Sequence, residues 1–65
     1  MTNPQLLVTT CSGGSCPTVY RTDRDTVLIQ GYATTAITPP DGELLVEIPR
    51  DLLLEAARRI QEQDG

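Results

Sequence analysis

The stretch TVYRTDRDTVLIQGYA, residues 18–33, decides the fold of this chain. Residues 18–22 and 26–33 are rich in β-branched and aromatic side chains, which favour strands. The Asp-Arg-Asp segment between them, residues 23–25, consists of turn formers. The stretch therefore predicts an antiparallel hairpin. Gly31, inside the second strand, indicates either a bulge or a place where something packs closely on the backbone.

Two further strands are predicted on either side of this hairpin. Residues 5–10 form a short apolar and β-branched run that begins after a proline and ends at a Ser/Gly loop. Residues 43–48 alternate and place Leu44, Val46 and Ile48 on one face, so we expect that face to be buried.

A helix is predicted over residues 49–62. Pro49 suits the first helical position, where its missing N–H costs nothing. Leu54 lies at the edge of the apolar stripe and is either a wide core contact or an exposed anchor for another chain. The stripe itself recurs at helical spacing and comprises Leu52, Leu53, Ala56, Ala57 and Ile60. These elements predict an α+β fold, a small antiparallel sheet of three to four strands with one C-terminal helix, in a single domain over residues 1–65.

The composition predicts a thin hydrophobic core. The chain has 65 residues, 38% of them hydrophobic, with no Trp or Phe and only two tyrosines. A core of this size supplies about 3–5 kcal/mol, so a cross-link, a second copy or a bound partner would matter greatly to stability. We therefore expect a homo-oligomer or a complex with another protein.

The charge and the residue types exclude several function classes. The net charge of −4 argues against a sequence-independent grip on nucleic acid or on an anionic membrane. All five positive charges are arginines, and the chain has neither Lys nor His, which removes the commonest catalytic bases. We therefore predict a small acidic protein that is not an enzyme and needs no cofactor. No apolar run is long enough to span a bilayer, and no positively charged signal region is evident, so a cytoplasmic location is expected.

The loop from Cys11 to Cys16 holds both cysteines of the chain. They are either two reduced thiols, a disulfide that would stabilise the fold by about 2 kcal/mol, or half of a metal site. Because the cytosol is reducing, a disulfide is not the first expectation for a cytoplasmic protein.

Four side chains are candidates for contact with a partner. Tyr20 and Tyr32 both fall in predicted strands and are therefore expected to be cross-strand neighbours. They either anchor an interface, as amphipathic tyrosines often do, or fill a half-buried sheet face. Arg21, beside Tyr20, and Leu54 complete the predicted partner-binding set.

The residues that carry a family resemblance are the Ser/Gly loop, Cys16, Val19, residues 23–25, the Pro40-Asp41-Gly42 turn and Pro49. Through them the chain resembles a family of short actinobacterial proteins. These occur beside helix-turn-helix regulators of the WhiJ type and are related to developmental regulators named for the bald phenotype. The resemblance covers residues 11–60, but the family's Trp-Arg-Ser opening and its aromatic near the helix start are absent here. It implies a non-enzymatic, antitoxin-like partner of a helix-turn-helix regulator.

A second resemblance competes with the first. Residues 45–53, LVEIPRDLL, are similar to the strand-to-helix exit of swapped-hairpin antitoxins and transition-state regulators, which bind DNA as dimers. Only Arg21 and Arg24 are suitably placed basic residues, and acidic residues flank them. Three functions therefore stand: a protein-interaction module acting on a transcriptional regulator, a DNA-binding swapped-hairpin dimer, and a zinc- or redox-dependent protein using Cys11 and Cys16.

Overall fold

The computed structural model describes residues 3–11 and 16–64. A three-stranded antiparallel sheet, a two-stranded sheet and one C-terminal helix make up this part of the chain, which confirms the α+β fold class. The elements are β1 (Gln5–Thr9), β2 (Thr18–Arg21), β3 (Val27–Gln30), β4 (Tyr32–Ala33), β5 (Val46–Glu47) and α1 (Arg50–Asp64).

The larger sheet has the order β1-β2-β3, with β2 in the middle. The turn at residues 23–25 fixes the register of β2 against β3, and Tyr20 lies opposite Leu28. The hydroxyl group of Thr22 stabilises this turn: it accepts the Arg24 N–H at 3.1 Å and donates to the Thr26 carbonyl at 3.0 Å. The predicted hairpin is therefore present.

The predicted strand over residues 26–33 is divided at Gly31. An added Cβ at Gly31 would lie 2.7 Å from both the Glu47 carbonyl oxygen and the Ile48 Cγ2 atom. The chain leaves the larger sheet here because the segment around β5 packs directly on the Gly31 backbone. Of the two expectations for this glycine, close packing is the one observed. Beyond it, β4 pairs with β5 in the second sheet.

A register shift in β1 ties the sheet to the helix. The pairing of β1 with β2 is irregular between Leu6 and Val8, which releases the Leu7 carbonyl from the regular ladder. Arg59 of α1 donates to this carbonyl at 3.1 Å. Arg59 is itself held by Glu55 at 2.8 Å. One carboxylate on the helix therefore fixes the arginine that joins α1 to β1.

The core lies between α1 and one face of the larger sheet. It consists of five buried residues with two partly buried ones packed against them: Leu7, Val8, Val19, Leu52 and Ala56, with Ile48 and Ile60. The predicted apolar stripe is wrong for Leu53 and Ala57, which are exposed because the helix contacts the sheet along a narrower line. The core is as thin as the composition predicts.

The prediction of a buried face on residues 43–48 holds only for Ile48, which is partly buried against the core. Only Val46 and Glu47 form a strand, and Leu44 is 92% exposed. The helix packs on β1 and β2, which leaves Leu44 and Val46 exposed. The helix itself begins at Arg50, one residue later than predicted, and the Leu52 N–H bonds the Pro49 carbonyl at 3.1 Å.

Candidate interaction surface

An apolar row crosses the face of the larger sheet that lies away from the helix. Tyr20 lies opposite Leu6 on β1 and opposite Leu28 on β3, and side chains directly opposite share a face. Val19, which precedes Tyr20 on β2, is buried against α1, so Tyr20 lies on the other face. We call this the open face, and Leu6, Tyr20 and Leu28 the apolar row.

The two ends of the apolar row are well exposed. Leu6 is 61% exposed and Leu28 is 46% exposed, whereas Tyr20 between them is half-buried. A tyrosine flanked by two leucines combines apolar area with a hydroxyl group that can bond a partner. The arrangement therefore suits contact with another protein surface.

Strand β3 adds apolar area at the edge of the sheet. Val27, Leu28 and Ile29 follow one another, and each is at least 39% exposed although they alternate between the two faces. Among the described strands β3 pairs only with β2. Its other edge faces away from the rest of the sheet.

The expectation that Tyr20 and Tyr32 are cross-strand neighbours is wrong. Tyr32 lies on β4, in the second sheet, and pairs with Glu47. The hairpin turn is centred on Arg24, so the residue opposite Tyr20 is Leu28. The two tyrosines belong to different sheets because the chain changes direction at Gly31.

The other predicted contact residues lie on separate surfaces. Arg21 follows Tyr20 on β2, so its side chain is on the helix side, where it donates to the Gln63 amide oxygen. Leu54 lies on the helix and is 61% exposed, which matches an exposed anchor and not a core contact. The structure thus does not gather Tyr20, Arg21, Tyr32 and Leu54 into one site, and their contact with a partner stays a prediction.

A second apolar region lies beside the two-stranded sheet. A groove of about 310 Å³ is lined mainly by apolar and threonine side chains of β4, β5 and the loop between them. Its most exposed members are Ile37 and Leu44. Like the apolar row, this region lies outside the core and is exposed.

The structure joins Cys11 to Cys16 in a disulfide with a Cα–Cα distance of 6.0 Å. The Cys16 carbonyl accepts the Thr18 hydroxyl at 2.8 Å and the Gln30 side-chain amide at 2.9 Å, which anchors this end of the loop to β2 and β3. Residues 12–15 lie outside the described part of the chain. Within residues 3–11 and 16–64, no three potential ligands of the His, Cys, Asp or Glu type are grouped to hold a metal ion.

Ion pairs engage two of the three arginines of the helix, Arg58 and Arg59. Glu55 bonds both Arg58 and Arg59, and these hydrogen bonds lower the pKa of Glu55 from 4.5 to about 2. Arg58 also bonds Glu62 at 2.5 Å, and the hydrogen bond to the Glu55 carboxylate raises the pKa of Arg58. These arginines are therefore neutralised by neighbouring carboxylates and do not form a basic patch for nucleic acid.

No family model matches this chain, and neither curated proteins nor solved structures show significant similarity to it. In the described part of the chain no helix is long and apolar enough to cross a membrane. Leu6 and Leu28 were missed by sequence reasoning, although the centre of the turn at Arg24 carries the signal that places Leu28 opposite Tyr20.

Proposed function

We propose that this chain is a small, non-enzymatic protein-interaction module that modulates a transcriptional regulator by direct contact. The observation that carries the proposal is the apolar row on the open face. The contact runs through Tyr20, with Leu6 and Leu28 on either side of it.

The exposure of the row supports a contact of useful strength. Completing the burial of a half-exposed leucine contributes about 1 kcal/mol. Tyrosine is among the residues that dominate binding energy at protein interfaces, particularly where neighbouring side chains exclude water. Leu6 and Leu28 are placed to exclude water around the Tyr20 ring, since each lies directly opposite it.

The thin core gives the partner a second effect. A ligand that binds only the folded state adds to its stability by mass action. A domain whose core supplies only about 3–5 kcal/mol is therefore strongly stabilised by its partner. Such coupling suits an antitoxin-like regulator, whose amount then follows that of its partner.

A helix-turn-helix regulator is the proposed partner. The support for this choice is the sequence pattern over residues 11–60, which resembles proteins that occur beside such regulators. The acidic charge of the chain, −4, also suits a partner whose own surface is basic enough to bind DNA.

The test is a calorimetric titration of the purified chain with the purified helix-turn-helix regulator encoded nearest to its gene. Tyr20→Ala should weaken binding at least about tenfold. Ile37→Ala, which shortens a more exposed apolar side chain outside the row, is the control and should leave the affinity unchanged. Separate alanine substitutions at Tyr32 and Leu54 measure whether the contact extends to them. Tight, salt-sensitive DNA binding by the isolated chain would instead favour the swapped-hairpin interpretation.

A further inference from the structure

The chain exposes more surface than a compact monomer of its mass. A folded monomer of 7.1 kDa exposes about 4,100 Å², whereas this chain exposes 5236 Å². Its radius of gyration is 12.6 Å, against about 11 Å for a compact domain of this length. The excess area of about 1,100 Å² exceeds the roughly 800 Å² that each partner contributes to a standard interface.

From this excess and from the edge strand, we propose that two copies of the chain form a symmetric dimer in which their β3 strands pair antiparallel. The proposal does not depend on the regulator as partner. The outer edge of β3, with which no described strand pairs, then has a specific occupant, a second copy of β3.

The hydrogen-bonding pattern shows which groups of β3 are available. The Thr22 N–H bonds the Thr26 carbonyl, so these two residues form a hydrogen-bonded pair. Such pairs alternate along an antiparallel ladder, and the next one on β3 is therefore Leu28. The backbone groups of Val27 and Ile29 consequently point away from β2, towards the outer edge.

Only one register of the two copies matches side chains well. With Leu28 opposite its own copy, Val27 bonds Ile29 of the second chain, and Thr26 lies opposite Gln30. Polar residues then face polar residues, and apolar face apolar. Sliding the strands by one pairing step in either direction places Leu28 opposite Gln30 or opposite Thr26. The twofold axis therefore passes beside Leu28.

The charge distribution permits this pairing. The chain carries −4 overall, yet β3 has no charged residue. Like charges directly opposite one another destabilise strand pairs, and this register creates none within the strands. Pairing also joins the two apolar rows into one, running Leu6, Tyr20, Leu28 and then through the same residues of the second copy in reverse order.

Sedimentation of the wild-type chain should give twice the 7.1 kDa mass at high concentration. The register is tested by cysteine cross-linking. At the non-hydrogen-bonded position on the axis the two Leu28 Cα atoms lie about 4.5 Å apart, within the range for a disulfide. Leu28→Cys should therefore cross-link to a dimer on mild oxidation, whereas Val27→Cys, offset from its own copy, and Leu6→Cys, on the opposite edge of the sheet, should not.

A charge pair provides the second test. Leu28→Lys and Leu28→Glu should each weaken dimerisation at least about tenfold, since two like charges then meet on the axis. Mixing the two variants should restore a heterodimer. A wild-type chain that remains monomeric at its highest soluble concentration would overturn the proposal, even if it binds a different protein. Equal or faster cross-linking through Leu6→Cys would overturn it as well.

Discussion

Replacing Gly31 with alanine should destabilise the fold, because this residue is where the chain passes from the larger sheet to the smaller one. The new Cβ would lie 2.7 Å from the Glu47 carbonyl oxygen, 2.7 Å from the Ile48 Cγ2 atom and 3.2 Å from the Val46 Cβ atom. A backbone oxygen cannot rotate away as the end of a flexible side chain can. The segment around β5 would have to shift.

The size of the effect follows from two opposing contributions. Overpacking of this kind costs about 1–3 kcal/mol. Alanine recovers about 0.4–1 kcal/mol by reducing the freedom of the unfolded chain. The net loss of about 1–2 kcal/mol is a large part of the roughly 3–5 kcal/mol expected of so small a core. It corresponds to a fall in Tm of about 5–15 °C.

Urea unfolding followed by circular dichroism measures this loss. Gly42→Asn is the matched control: Gly42 has a φ of 87°, which asparagine tolerates, and an added Cβ there meets nothing within 4 Å. The control should unfold at nearly the wild-type urea concentration. An unchanged or raised midpoint for Gly31→Ala would refute the close packing between the two sheets.

Three further predictions concern the disulfide, the pH dependence and nucleic acid. Replacing both Cys11 and Cys16 with serine should lower the free energy of unfolding by about 2 kcal/mol; equal stability of the wild-type chain with and without reductant would contradict this. The pKa of Glu55 is about 2 in the fold and 4.5 without its arginines, so its stabilising effect is complete above pH 4.5 and is lost as the pH falls towards 2. Acid titrations of unfolding should therefore be less steep for Glu55→Gln, and superimposable curves would be evidence against the pairing with Arg58 and Arg59. The isolated chain should give no salt-sensitive shift of duplex DNA in a gel, and a tight shift would overturn this expectation.

The turn formers and the β-rich runs made the hairpin predictable. Pro49 and the helical spacing of the apolar residues after it did the same for the final helix. Residues 23–25 are turn formers between two β-rich runs, and local preferences of this kind act over a few residues only. The close approach at Gly31 was one of two readings that the sequence left open. What it packs against, the segment around Glu47, depends on contacts far along the chain.

The apolar row could be predicted only in part. The strand pattern predicts that Tyr20 contacts a partner, but it pairs Tyr20 with Tyr32, which lies on β4 in the other sheet. A turn centred on Arg24 pairs residues whose numbers are equidistant from 24, which selects Leu28. The position of Leu6 opposite Tyr20 could not be predicted, because it depends on a register irregularity in β1 that no local preference indicates.

Around Leu44 the sequence pattern predicts more burial than the structure has. An alternating pattern is typical of a strand with one buried face, and it indicated burial of Leu44, Val46 and Ile48. Ile48 does pack against the core, but the helix covers β1 and β2, and Leu44 is left almost entirely exposed. Alternation indicates which side chains share a face but not whether anything covers that face.

The most direct test of the central claim is the affinity of the Tyr20→Ala chain for the purified helix-turn-helix regulator, measured by calorimetry beside the wild type and Ile37→Ala. The wild type and Ile37→Ala should bind saturably, and Tyr20→Ala should bind at least about tenfold more weakly. Equal affinity of Tyr20→Ala and wild type would contradict the claim that the open face is the contact surface, and absence of binding by the wild type would contradict the proposed partner.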